Sequence, residues 1–131
     1  YQTDVKLDAA FPSGAQIVAQ QFHHRAGGGP QPLGLNVTSG EWRLVKREYL
    51  NSPTTVLWSE TAKLDTYYTF KWEIRHSKGG CGVLKFYKNG EKVYSGEVNS
   101  LFPTETEAPY FKFGVYVLNF GVGSQIIVNH K

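Results

Sequence analysis

The chain has 131 residues, 40% hydrophobic, 15% aromatic and 19% charged, enough for a single buried core and too few for two. Fourteen Lys and Arg against eleven Asp and Glu leave a formal charge of +3, a surplus that suits an acidic ligand but falls short of the dense basic runs of a nucleic-acid protein. The apolar runs are strand-sized, which excludes a transmembrane helix, and no low-complexity charged stretch argues for disorder.

Helical periodicity is almost absent. Short alternating or apolar runs rich in Val, Ile, Tyr, Phe and Trp recur between Gly, Pro, Asn and Ser. They predict strands near 2–8, 15–24, 32–38, 41–49, 56–60, 67–76, 82–88, 91–97, 110–118 and 124–130. Asn89-Gly90, set between two strand-like segments, predicts a hairpin with a type I′ turn, because both residues tolerate positive φ. Ser39-Gly40 and the Ser77–Gly80 stretch predict further hairpin turns. Leu101–Pro109 reads as the longest loop, a solvated connection or the edge of a cleft. Some ten short strands without a helix predict an all-β sandwich of two antiparallel sheets, jelly-roll in type, spanning 1–131 as one domain.

Two predicted strands carry unusually polar faces. In the first, Ile17, Ala19, Gln21, His23 and Arg25 share one side and Val18, Gln20, Phe22 and His24 the other. In the second, Phe111, Phe113 and Val115 form a core face, while Tyr110, Lys112, Gly114 and Tyr116 form the opposite one. The bare Gly114 lets a ligand approach the backbone between Lys112 and Tyr116. If the two strands are neighbours, Gln21, His23, Lys112 and Tyr116 gather an amide donor, an imidazole, a fixed cation and a phenol; otherwise each is merely an outward polar position.

Those residue types suit β-elimination from a uronic acid polymer. The C5 proton of a uronate is only weakly acidic beside its own carboxylate, so the carboxylate must first be neutralised by amide or cationic donors. A base then removes the proton, and an acid protonates the departing glycosidic oxygen. His23 and Tyr116 can fill these roles, and which of them is the base stays open. Hydrolysis would instead need two carboxyl groups about 5–10 Å apart, whereas Asp4, Asp8, Glu60, Asp65, Glu91, Glu105 and Glu107 fall mostly in predicted turns or loops.

Other features carry less. Cys81, the single cysteine, forms no disulfide within the chain, and as a nucleophile near His76 it lacks a thiolate-stabilising helix terminus. The triple glycine of Arg25–Pro30 lacks the Lys-Ser/Thr pair of a phosphate loop. His23 and His24 are adjacent on a strand, point to opposite faces and cannot chelate one ion. Asn36-Val37-Thr38 is a glycosylation sequon. Trp72 reads as core, and Trp58 as more open.

Gln21-Phe22-His23 and Tyr110-Phe111-Lys112-Phe113-Gly114-Val115-Tyr116 resemble the strands that line the substrate groove in jelly-roll polysaccharide lyases, the group of glucuronan lyase, heparin lyase I and the family-7 alginate lyases. Leu33-Gly34-Leu35, Trp42-Arg43-Leu44, Tyr68–Trp72 and Leu84–Gly90 follow in the order such lyases show, extending the resemblance over most of the chain. It implies a concanavalin-like jelly roll and a secreted enzyme cleaving a uronate-containing polysaccharide. His23 and Tyr116 are then the acid–base pair, Gln21 the neutraliser of the carboxylate, and Lys112 and Tyr110 groove residues. Phe113 and Leu118 stand where alginate lyases more often have Ala and Gln, which points away from alginate and toward the glucuronan- and heparin-lyase-like branches.

The same resemblance implies a longer protein, with an upstream Arg-bearing strand for which Arg25 is the available substitute. Residues 1–131 then form the C-terminal part of the domain, lacking its N-terminal strands, and a separate segment or chain completes the fold. No cofactor is required for the chemistry, and no Asp-rich loop signals the calcium that accompanies some of these lyases. Neither nucleic acid nor a membrane is expected as a partner. The alternative is a non-catalytic, lectin-like carbohydrate-binding sandwich, which needs neither His23 nor Tyr116.

Overall fold

A computed structural model describes residues 1–8, 14–23, 31–77, 81–119 and 128–130. Its ten strands are β1 (Gln2–Leu7), β2 (Gln16–His23), β3 (Leu33–Thr38), β4 (Glu41–Lys46), β5 (Thr55–Thr61), β6 (Tyr67–Arg75), β7 (Val83–Lys88), β8 (Glu91–Glu97), β9 (Tyr110–Asn119) and β10 (Val128–His130). Two antiparallel five-stranded sheets result, ordered β10-β1-β6-β7-β8 and β5-β4-β3-β2-β9. Two hairpin turns form where the sequence predicts them. Ser39 and Gly40 have φ of 49° and 81°, Asn89 and Gly90 of 50° and 83°, the positive pair that type I′ geometry requires. The Asn89 side chain also accepts from the Thr69 amide at 2.9 Å, tying its hairpin to β6.

The core lies between the sheets and follows the alternation. Val5 and Leu7 of β1, Tyr68, Phe70 and Trp72 of β6, and Leu84 and Phe86 of β7 meet Ile17, Phe22, Leu33, Leu35, Val37, Trp42 and Leu44 of the second sheet. Aromatic rings dominate it. Trp72 packs edge-on to Phe22 at 5.3 Å and to Phe86 at 4.7 Å, and Trp42 to Phe70 at 5.0 Å. Fully burying side chains of this size stabilises by about 1.5–3 kcal/mol each or more, so this seam is the main adhesive between the sheets.

One irregularity shapes β2. Its pairing shifts register between Val18 and Gln20 on both sides: against β3, Ala19 is the extra residue, and against β9, Gly114 and Val115 stand opposite Ala19 alone. Gln20 and Phe22 face inward and Gln21 and His23 outward, as the alternation predicts. Below the bulge the parity reverses: Ile17 and Ala19 join the core, whereas Val18 pairs across to Asn36 on the outer side. Gln20 is therefore a buried amide. It accepts from Trp72 Nε1 at 2.6 Å and donates to Thr3 Oγ1, spanning the two sheets.

Three further expectations change. Phe113 and Val115 were expected in the core but are 61% and 45% exposed. They lie on β9, the edge strand among the described residues, whereas Phe111 on the same strand is covered, with Tyr1 stacked on it at 4.7 Å. The Leu101–Pro109 segment is not simply solvated, since Leu101 and Phe102 are buried and Glu105 N–H closes a turn onto Phe102 C=O at 3.0 Å. Asp4, Glu60 and Glu91 lie in strands rather than turns. The expected glycine loop at 25–30, the turn residues 78–80 and the strand residues 124–127 lie outside the described residues.

Candidate active site

β2 and β9 are neighbours, so their polar faces join. The rungs of this ladder pair Tyr110 with His23, Lys112 with Gln21, and Tyr116 with Val18. Lys112 Nζ sits 5.1 Å from the centre of the Tyr110 ring, a cation–π contact, and the His23 and Tyr110 rings lie 5.6 Å apart at 45°. Lys112 makes no ion pair among the described residues and is exposed, so its charge is available to a ligand.

A cavity of about 330 Å³ opens over the bulge, lined by Val18, Gln21, Lys112, Gly114 and Tyr116 among others. Gly114 is its bare floor. Its φ is +145°, and no heavy atom lies within 4 Å of the place a Cβ would take. The Tyr116 side chain is 60% exposed beside it. The cavity thus brings together an amide, an ammonium and a phenol over open backbone. His23 is on the same face but two rungs beyond Gln21, outside the lining. From its rung to that of Tyr116 the strand rises about 15–20 Å, more than one sugar residue spans.

The other candidates are placed less centrally. Arg25, and His24 beside it, lie outside the described residues. Trp72 is core as expected. Trp58 is only partly buried and packs on Phe86 at 6.0 Å. Cys81 is exposed and in no disulfide. Asn36 is 4% exposed within β3 and accepts from Gln31 Nε2 at 3.4 Å, an enclosed setting for a sequon asparagine. The acids are engaged elsewhere: Asp4 accepts from Thr69 Oγ1 at 2.6 Å, Glu60 pairs with Lys88, and Glu41 pairs with Arg43. Among the described residues no cluster of three or more His, Cys, Asp or Glu is placed to hold a metal ion, and no helix is long and apolar enough to cross a membrane.

Two residues near the site had no signal of their own in the sequence. His76 packs edge-on to Phe22 at 5.3 Å, directly behind the site, and its Nδ1 lies 2.9 Å from the buried Ser100 Oγ. Ser77 N–H donates to the same oxygen. Burial pushes the His76 imidazole below its ordinary value of 6.5. Arg43 is the second, and its outward position was readable only from its place between the core residues Trp42 and Leu44.

Comparison with known proteins matches this architecture. The polysaccharide lyase family profile covers residues 1–130. The chain belongs to the polysaccharide lyase family. Solved structures sharing its fold include an endo-β-1,4-glucuronan lyase from the fungus Trichoderma reesei, at 14% identity and a TM-score of 0.62, with 88% of this chain and 55% of that one covered. The polysaccharide lyase family 18 protein aly-SJ02 follows at 15% and 0.52, covering 88% and 51%. The family-7 alginate lyase AlgAT5 matches at 16% and 0.54, covering 99% and 59%. This polysaccharide lyase chain therefore spans about half the length of these neighbours. No curated protein matches it.

Proposed function

We propose that this chain carries the elimination chemistry of a lyase acting on a uronate polymer. The observation behind the reading is the cavity that joins Gln21, Lys112 and Tyr116 over the open backbone of Gly114. The Gln21 side-chain amide and the Lys112 ammonium bind the uronate carboxylate and lower the cost of charge spreading from C5 in the transition state. The Tyr116 oxygen, as phenolate, takes the C5 proton. The C4–C5 double bond forms as the C4–O bond breaks, and the same phenol returns the proton to the departing glycosidic oxygen. Atoms and charges balance with no oxidant, reductant or nucleotide. His23 and Tyr110 extend the polar strip to the adjoining sugar and support binding there, because their rung lies outside the cavity.

A single phenol working from one side of the ring needs the C5 hydrogen and O4 on that side. D-glucuronate and D-mannuronate meet this condition and L-guluronate does not. Combined with the glucuronan lyase among the structural neighbours, this makes a glucuronate polymer the favoured substrate. Such a polymer is met outside the cell, so the enzyme acts as a secreted protein. We also infer that a further segment or chain completes the fold along β9, where Phe113 and Val115 are exposed on an edge strand, a position proteins ordinarily cover.

The test is incubation with glucuronan, polymannuronate, polyguluronate and heparin, reading ultraviolet absorbance of a 4,5-unsaturated product. The reading expects product from glucuronan and none from polyguluronate. Binding to these polymers without product from any would identify the chain as the lectin-like alternative.

A further inference from the structure

We propose that Arg43 forms a distal carboxylate subsite on this face, gripping the acidic glycan about three sugars from the bond that is cleaved; this rests on the lyase reading above. The pairing registers place it. Tyr116 pairs with Val18, Val18 with Asn36, Asn36 with Arg43, and Arg43 with Ser59, one row across all five strands of the sheet. Arg43 therefore points out on the same side as Tyr116, with Trp42 and Leu44 beside it turned to the core. Three strand spacings, about 14 Å, separate the two residues, and one spacing is close to the length of a pyranose residue. Along this row Asn36, Arg43 and Ser59 are polar, whereas the Lys112–Gln21 row continues through Gly34, Val45 and Val56. Of the Tyr116 row, Arg43 and Ser59 reach the surface and offer hydrogen bonds to a polar polymer leaving the cavity, whereas Val18 and Asn36 are 2% and 4% exposed and only carry the row beneath it.

Arg43 is also prepared for a carboxylate. Its Nε and Nη2 both donate to Glu41 Oε2, at 3.0 and 2.7 Å, which fixes the plane of the guanidinium. Nη1 donates to no partner among the described residues, and the side chain is 36% exposed. The ordering cost that an arginine ordinarily bears on binding is thus largely met before the glycan arrives. The open edge of the fork presents donors in the geometry that a carboxylate accepts.

The experiment compares wild type, R43Q and R43K on glucuronan and on a glucuronate trisaccharide too short to reach from the cavity to Arg43. The proposal expects R43Q to raise KM on the polymer about tenfold, the factor for one charge-assisted hydrogen bond, with kcat within twofold and no change on the trisaccharide. R43K, keeping the charge but not the fork, should fall between, and thermal melts confirm that both variants fold. An unchanged polymer KM, or an equal rise on both substrates, overturns the proposal. Should wild type release no product, the lyase reading fails separately, and electrophoresis in gels with and without glucuronan decides on Arg43. Weaker retardation of R43Q supports the subsite; equal retardation, or none for wild type, overturns it.

Discussion

Replacing Gln20 by Leu isolates the polar tie between the sheets. Gln20 is fully buried, and its Oε1 is the acceptor for Trp72 Nε1 at 2.6 Å, itself 1% exposed. Leucine has similar volume, so the cavity contribution is small and the main loss is the acceptor. A buried donor left without a partner costs about 1–3 kcal/mol. Thr3 is only half-buried, so its hydroxyl, which Gln20 Nε2 also bonds, can turn to water. The expected destabilisation is thus about 2 kcal/mol. At about 2.1 cal/mol/K of unfolding entropy per residue, that lowers Tm by about 7 °C. Calorimetry of Q20L, W72F and the double variant is the assay. The pair should be coupled by at least about 0.5 kcal/mol, the double variant costing less than the two singles together. Additive losses, or a Q20L protein within about 0.5 kcal/mol of wild type, would refute the hydrogen-bonded tie.

Other consequences follow from the same geometry. At Gly114 there is open space for a side chain but a φ of +145°, so G114A meets backbone strain and no clash. About 1–3 kcal/mol of stability should be lost, together with kcat/KM, as strain displaces Lys112 and Tyr116; a variant equal to wild type in both would contradict this. His76 is held neutral by burial, below its ordinary 6.5, so the unfolded state binds the proton more readily than the folded one. The stability it contributes is whole above pH 6.5 and declines as pH falls toward the depressed folded value. Melting curves between pH 5 and 8 should show a steeper acid-side fall for wild type than for H76Q, and parallel curves would remove His76 from the account.

Much of the fold is legible because its signals are local. Alternation sets the strands to within a few residues, and Asn-Gly and Ser-Gly pairs mark hairpins through a conformational property of their own backbones. The outward set Gln21, His23, Lys112 and Tyr116 is legible for the same reason. What fails is non-local. The extra residue at Ala19 has no signature, so parity is right for Gln20 to His23 and wrong for Ile17 to Ala19. Alternation puts Phe113 and Val115 on the inner side but says nothing of whether an opposing layer reaches them. Register is a matter of two strands at once, and so the pattern places His23 and Tyr116 on one face without revealing the several rungs between them. Arg43 becomes interesting only when three pairings align it with Tyr116.

The account stands most directly on the phenol in the cavity. With glucuronan as substrate, the initial rate of unsaturated product should fall at least a thousandfold from wild type to Y116F, general acid–base contributions being about 10²–10⁴ for each role. Its melting temperature should stay within about 2 °C, since Tyr116 is 60% exposed. A Y116F protein that melts like wild type and still releases product at the wild-type rate would contradict the assignment.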